Sequence, residues 1–417
     1  MFRPKYLSSR LSGGLVSIYS SQMISNIASA LLGLFLPIFL FQIFDLKLSY
    51  TLIYYLIDYS VYTTFVAVGA KFSLNKLGLK TAIITSTIWA GIYYLAFYFM
   101  AGQHSAIVNA MGMNRQQVLI LLGLTIFFLN LWRLTYWVPV HTEISTLTTR
   151  NDRTRELSIL EASSIATNAI LPAVAGWLLI TFGYNVLFIL AVFIFFLSAV
   201  PLFALPPIKE NFSWTYRQTW KEFFSKKRQK TILAFMGDGA ENVVSGIVWP
   251  IFIWQILKGN YLSVGAISSA IVLSTVVLEL LIGKFADSGK RDKILHWGTF
   301  LYALGWIIKI FIDTAFQIFV VSTYQNLARI FTRTPFDSMF YEHAADQGHY
   351  VDEYTVIHEM ALTVGRILVI LLILLLVPYF GIGLTFVLAA IATLLMNLLV
   401  DEKTAEEIRS RVQDIKI

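Results

Sequence analysis

The chain reads as an all-α integral membrane protein whose twelve transmembrane helices form two pseudo-symmetric bundles of six. Three observations predict this. Apolar residues fill 57% of the 417 positions and charged residues only 14%, against about a quarter charged in a water-soluble domain. Apolar runs of about 20 residues, the length that crosses a hydrocarbon core, recur from one end to the other. One unusual phrase is also written twice: LPIFLFQIF at 36–44 and WPIFIWQIL at 249–257, five of nine positions identical and 213 residues apart.

The runs place spans at 14–43, 50–70, 80–100, 117–139, 158–180, 185–205, 231–257, 262–283, 294–312, 316–336, 355–377 and 383–400. The first extends to Phe44, beyond the ~7–15 apolar residues of a cleavable signal, and is expected to be retained. Lys and Arg accumulate in cytoplasmic loops. Here they mark the N-terminus and every second loop: Lys71, Lys76 and Lys80; Arg150, Arg153 and Arg155; the run from Lys209 to Lys230; Lys284, Lys290, Arg291 and Lys293; and the tail. The opposite loops offer only Lys47, Arg115 and Lys258. Both termini are therefore expected in the cytoplasm of a cell (plasma or inner) membrane. This topology accounts for the net charge of +7 without nucleic acid.

The duplication continues past the opening phrase. At the same offset of 213, Lys284 and Phe285 fall on Lys71 and Phe72. Arg133 precedes Pro139 as Arg329 precedes Pro335, at an offset of 196, and Glu161 matches Glu359 at 198. Six is an even number of spans, so both halves begin on the same side and the repeat is parallel. The expected units are a first half at 1–205, a basic linker at 206–230, a second half at 231–400 and a tail at 401–417.

Parallel six-span halves with a site at their interface are one plan for membrane transporters. At this point the chain resembles the major facilitator superfamily. The loops after spans 2 and 8 carry the resemblance. GKFADSGKR (283–291) keeps Gly283, Asp287, Gly289, Lys290 and Arg291 of the family's loop pattern but is one residue short, and KFSLNKLGLK (71–80) has Asn75 in place of the acid. The resemblance implies that these loops latch one half to the other, with Asp287 and Asn75 as interdomain gate residues. It also implies that spans 1, 4, 7 and 10 surround a central cavity and that spans 2 and 11 pack across the halves. In span 5, AILPAVAG (169–176) keeps only Pro172 and Gly176 of a pattern found in antiporters of the family, which favours export.

A charge near the bilayer centre costs roughly 2.5–3.5 kcal/mol on the insertion scale, so each needs a partner or a task. Asp58 in span 2 and Arg366 in span 11 both fall near mid-depth and are expected to pair as a gate. On span 7, Asp238, Glu241, Asn242 and Ser245 share one face by i, i+3 and i+4 spacing. The matched helix of the first half offers Gln22, Ser25, Asn26 and Ser29. Asp238 and Glu241 are candidates to bind a proton or a cationic group, or to form a structural pair with Arg329. Span 10 aligns Gln325, Asn326, Arg329 and Thr332 or Arg333, so that Arg329 either binds an anion or neutralises span 7. Arg133 is expected to snorkel or to pair with Glu161. Tyr136, Trp137, Trp249, Trp254 and Tyr324 are candidate cavity aromatics, and Pro37 and Pro250 are expected to bend two equivalent gate helices.

Two further stretches are notable. YEHAADQGHYVDE (341–353) gathers acids and histidines with no metal-site spacing, and reads as a solvated loop entering a helix. Residues 211–230 read as an amphipathic linker helix at a lipid surface. With no cysteine, disulfides, iron–sulfur clusters and thiolate zinc are excluded. There is no phosphate loop, paired-histidine motif or nucleophile elbow, so no enzyme, cofactor or metal is expected. The expected function is secondary active transport of a small solute by a monomer, with protons as the coupling ion. The alternative is a receptor or assembly factor that keeps the fold without transporting.

Overall fold

The computed structural model describes residues 13–101, 115–147, 153–207, 211–282, 291–346 and 351–399, and every regular element among them is helical. The first half holds α1 (Gly13–Leu32), α2 (Phe35–Ile43), α3 (Leu48–Phe72), α4 (Leu79–Ala101), α5 (Arg115–Leu147) and α6 (Arg153–Ser198). After α7 (Tyr216–Phe223), the rest is α8 (Gln229–Val243), α9 (Trp249–Ile256), α10 (Tyr261–Ile282), α11 (Arg291–Ile308), α12 (Ala315–Asp346), α13 (Val351–Phe380) and α14 (Gly383–Leu395). Eight helical stretches among the described residues are long and apolar enough to cross a membrane. One of them, Ile165–Leu202, contains Gly183 at φ 73°. A side chain there would meet the left-handed penalty, so glycine allows α6 to fold back on itself.

Large apolar side chains lie on the outside, including Tyr379 at 80% and Phe316 at 73% exposure. Such surface, on helices long and apolar enough to cross a membrane, suits contact with lipid. Several helices outrun their apolar stretches. α5, α12 and α13 continue beyond 139, 336 and before 355, because a helix leaving the hydrocarbon keeps its backbone bonds while its side chains turn polar. Hydropathy marks the membrane and not the helix end.

The two copies of the duplicated phrase form α2 and α9, and these pack against each other. Each follows an irregularity. A turn at Gly33 and Leu34 separates α1 from α2, and a π-helical turn, Val244–Val248, separates α8 from α9. Pro250 occupies the start of α9, where its missing N–H costs little. The bends therefore sit just before the prolines, where the helix yields ahead of the ring.

Among the described residues the halves meet where α2 packs on α9 and the π-helical turn before it, α6 on α10, α3 on α13, and the C-terminal part of α5 on α13. At the α2 end, the Gln42 amide and the Tyr261 hydroxyl hydrogen-bond at 2.6 Å, and Phe41 meets Trp254 edge to face at 6.2 Å. At the other end, the Thr142 hydroxyl donates to Asp352 Oδ1 at 2.9 Å. Among its described residues the linker holds α7, which Thr215 caps by accepting from the Gln218 N–H, and a 3-10 turn over Lys226–Arg228 that leads into α8. Residues 211–215 are not helical, and Phe212 and Trp214 are buried beneath the bundle.

Candidate functional site

The ionisable side chains inside the helices are paired differently from the sequence expectation. Asp58, fully buried, accepts from Arg133 Nη1 at 2.7 Å and from Asn130 Nδ2 at 2.9 Å. Asn130 and Arg133 lie at i, i+3 on α5 and present both donors to α3 from within the same half. Arg366 reaches the neighbouring residue instead, with its guanidinium over the Tyr59 ring at 5.2 Å. Arg133 stands over the same ring at 5.4 Å. The expected pair of Asp58 with Arg366 is thus replaced by an ion pair within one half and a cation–π contact between halves. Arg133 does not snorkel, and the side chain of Glu161 lies outside the described residues. Its counterpart Glu359 accepts from the Tyr62 hydroxyl at 3.0 Å across the α3 and α13 contact.

Asp238 and Glu241 also have donors. Arg333 donates from both Nη atoms to the two oxygens of Asp238, and Asn242 Nδ2 adds a bond to Asp238 Oδ1 at 2.9 Å. Glu241, fully buried, accepts from the Tyr302 hydroxyl at 2.6 Å, with Arg333 Nη2 at 3.8 Å. The neutralising base is Arg333, one turn beyond Arg329. Among the described residues, Arg329 makes no hydrogen bond or ion pair, and it is exposed. Gln325 is buried with its Nε2 unpaired.

On α1, Ser25 turns its hydroxyl back to the Gln22 carbonyl at 3.0 Å, and Tyr136 lies against both residues. Asn26 is half-buried, and Ser29 is exposed. On α8 and the π-helical turn that follows it, Asn242 and Ser245 are half-buried and Gly246 is exposed. Of the candidate aromatics, Tyr324 donates to the Leu301 carbonyl at 2.9 Å, and Trp249 and Trp254 pack in the core.

Sequence reasoning missed Lys309. It is buried, with its ammonium 3.6 Å from the centre of the Trp249 ring and 4.1 Å from that of Trp306. A lone lysine in GWIIKIF was the available signal. It also read Asp352 and Glu353 as a solvated loop. Both are buried at the start of α13, where acids suit the helix dipole.

Asn75 does not reach a helix of the other half. Its amide pairs twice with the Phe212 backbone, donating at 3.1 Å and accepting at 2.8 Å. The next residue, Ser213, donates from its N–H and hydroxyl to Glu353 Oε1 at 2.9 and 2.6 Å. Consecutive linker residues therefore tie α13 to the π-helical turn Ser73–Leu77 after α3. Asp287 lies outside the described residues. Asn75→Ala should cost about 0.5–1.5 kcal/mol for each bond lost. Limited proteolysis within 206–230 should then quicken severalfold. Unchanged cleavage would mean that burial of Phe212 and Trp214 alone holds the segment.

Residues 231–414 match the Major Facilitator Superfamily model. Members of that superfamily are generally transporters and not enzymes, and the match, together with the apolar helices, supports a multi-pass membrane protein. No curated protein matches the chain.

Proposed function

We propose that the chain is a secondary active transporter that moves a small solute across a cell membrane by alternating access between two six-helix bundles. On this reading the first bundle is α1 to α6, with α1 and α2 as one span and α6 counting twice through its bend at Gly183, and the second is α8 to α14, with α8 and α9 as one span. The observation that carries it is the position of the cross-half contacts. On this reading Ser25, Asn26, Asn242 and Ser245 line a polar central space, which α2 and α9 close at one end and Thr142, Asp352 and the tied linker close at the other. Two separable seals around one site are what a rocking carrier needs. Buried carboxylates in α3, α8 and α13 support protons as the coupling ion. Pro172 and Gly176 support export, and the basic loops support cytoplasmic termini.

The chain has no native cysteine, so Ser25→Cys gives a clean reporter of the central space. A membrane-impermeant maleimide is expected to label it from either side, in proportions that shift with solute or pH. Labelling from one side under all conditions would defeat the transporter reading in favour of a receptor or assembly factor on the same fold.

A further inference from the structure

Resting on the transporter reading, we infer that Arg329 is the recognition point for an oxyanion group on the solute, with Asn242 and Asn326 beside it. The first argument is charge accounting. Asp58, Asp238, Glu241 and Glu359 all have donors already. No acid among the described residues pairs with Arg329. Asp58, Asp238, Glu241 and Glu359 are thus committed to donors, whereas Arg329 keeps a guanidinium that no described acid compensates. Such a charge is costly in a bilayer and is retained where it has a ligand.

The duplication makes the second argument. In the first half, Asn130 and Arg133 stand three apart on α5, and both donate to Asp58. The second half repeats the pair at the offset of 196 as Asn326 and Arg329 on α12. At the offset of 213, Asp58 becomes Ile271, which is buried. The α10 to α12 packing repeats that of α3 to α5. The second half has kept the donors and lost the acid, leaving their acceptor to come from outside the protein.

Placement agrees. Arg329 follows Val320, a lipid-facing residue at 45% exposure, by nine positions, which is about half a turn around the helix. An exposed side chain on the face opposite lipid opens onto internal space. The pairing of Arg333 with Asp238 fixes the register of two antiparallel helices, so stepping one turn along each sets Arg329 level with Asn242. Gln325, one turn further, brings its unpaired Nε2. A planar guanidinium with amide donors suits carboxylate, phosphate or sulfonate oxygens.

The test needs no knowledge of the solute. A Cβ added at Gly246 meets no atom within 4 Å, so Gly246→Cys in the full chain, in liposomes, reports from this space. Its modification by an anionic methanethiosulfonate (sulfonatoethyl) is compared with that by a cationic one (trimethylammonioethyl), each normalised to a free thiol. The anionic reagent is expected to react faster. Arg329→Gln should lower the anion-to-cation ratio roughly tenfold, as removal of a nearby charge in a low-dielectric space requires, and Arg329→Lys should preserve it. Equal rates, or a preference for the cation, in the Gly246→Cys parent would overturn the inference even if Arg329→Gln failed to fold. So would a ratio that Arg329→Gln leaves unchanged. One-sided labelling of Ser25→Cys with an intact anion preference would instead defeat transport and leave the anion site standing.

Discussion

Arg333→Gln is expected to destabilise the chain by about 3–5 kcal/mol, the range for removing one partner of a buried ion pair. The guanidinium serves two acids at once, being bidentate to Asp238 and 3.8 Å from Glu241. Both acids are buried. Without it Asp238 keeps only the Asn242 amide, and Glu241 only the Tyr302 hydroxyl. Adding Asp238→Asn should recover much of the loss, because two neutral amides can bond where two charges stood. The measurement is a double-mutant cycle on thermal unfolding in detergent, which should give a coupling of at least about 2 kcal/mol for a contacting pair. A coupling near zero would mean that Asp238 is solvated and available, and the charge accounting that leaves Arg329 alone would fail with it. The variant also separates two arginines on one helix. Loss of Arg333 uncovers an acid, whereas loss of Arg329 uncovers none.

Much of the architecture was legible in the sequence because lipid imposes a simple rule. A helix must be about as long as the membrane is thick, and its charges must be justified. Apolar runs, glycine at the bend of α6 and the repeated phrase are all linear signals. Pairing is not. Asp58 lies near mid-depth with Arg133, Arg366 and Glu359 all within a few turns of it on other helices, and depth alone cannot choose among bases at the same level. Azimuth chooses: α5 turns Arg133 to Asp58, while Arg366 of α13, which also packs on α3, stands over Tyr59. The same limit hid the role of Asn75. Its family position implied a helix partner, but an amide in place of an acid pairs equally well with a backbone strand, and Phe212 supplies one. Arg333 was visible only as one of two residues on a face, since a single turn of register separates it from Arg329.

The two arginines of α12 divide the work that the first half gives to one. Arg133 neutralises its own half through Asp58 and shares Tyr59 with Arg366 of the other. In the second half, neutralisation has moved to α8, where Arg333 serves Asp238, and the repeat position is released. On the reading proposed above, an acid at one repeat position and Ile271 at the other make a structural pair in one half and a solute site in the other. Such asymmetry would let one half hold the solute's charge while the other closes over it.

Closure depends on how near the halves approach, and Gly265→Val is expected to prevent it. A Cβ at Gly265 would lie 2.1 Å from the Pro172 carbonyl oxygen, and one at Gly176 would lie 2.5 Å from that of Tyr261. Ordinary contact is about 3.5–4.0 Å, so α6 and α10 must separate by more than an ångström to admit the side chain. The bond from the Ala173 N–H to Ser269 Oγ at 3.0 Å would stretch with them. These residues lie beside the bend at Gly183 and the first turn of α10, at the same end as the Gln42 and Tyr261 contact. A wedge there should therefore open the α2 and α9 seal and leave that of Thr142 and Asp352 shut. On the sidedness proposed above, labelling of Ser25→Cys from outside should rise severalfold while labelling from the cytoplasm falls. Gly265→Ala should do the same in smaller measure. If a monodisperse Gly265→Val protein labelled as its parent does, α6 and α10 would be sliding past one another and not closing as a seal. Pro172 and Gly176 would then matter for packing alone. If both variants shift access in the expected order, the partial span-5 pattern has a physical meaning: it keeps a proline carbonyl and a glycine where two halves must touch backbone to backbone.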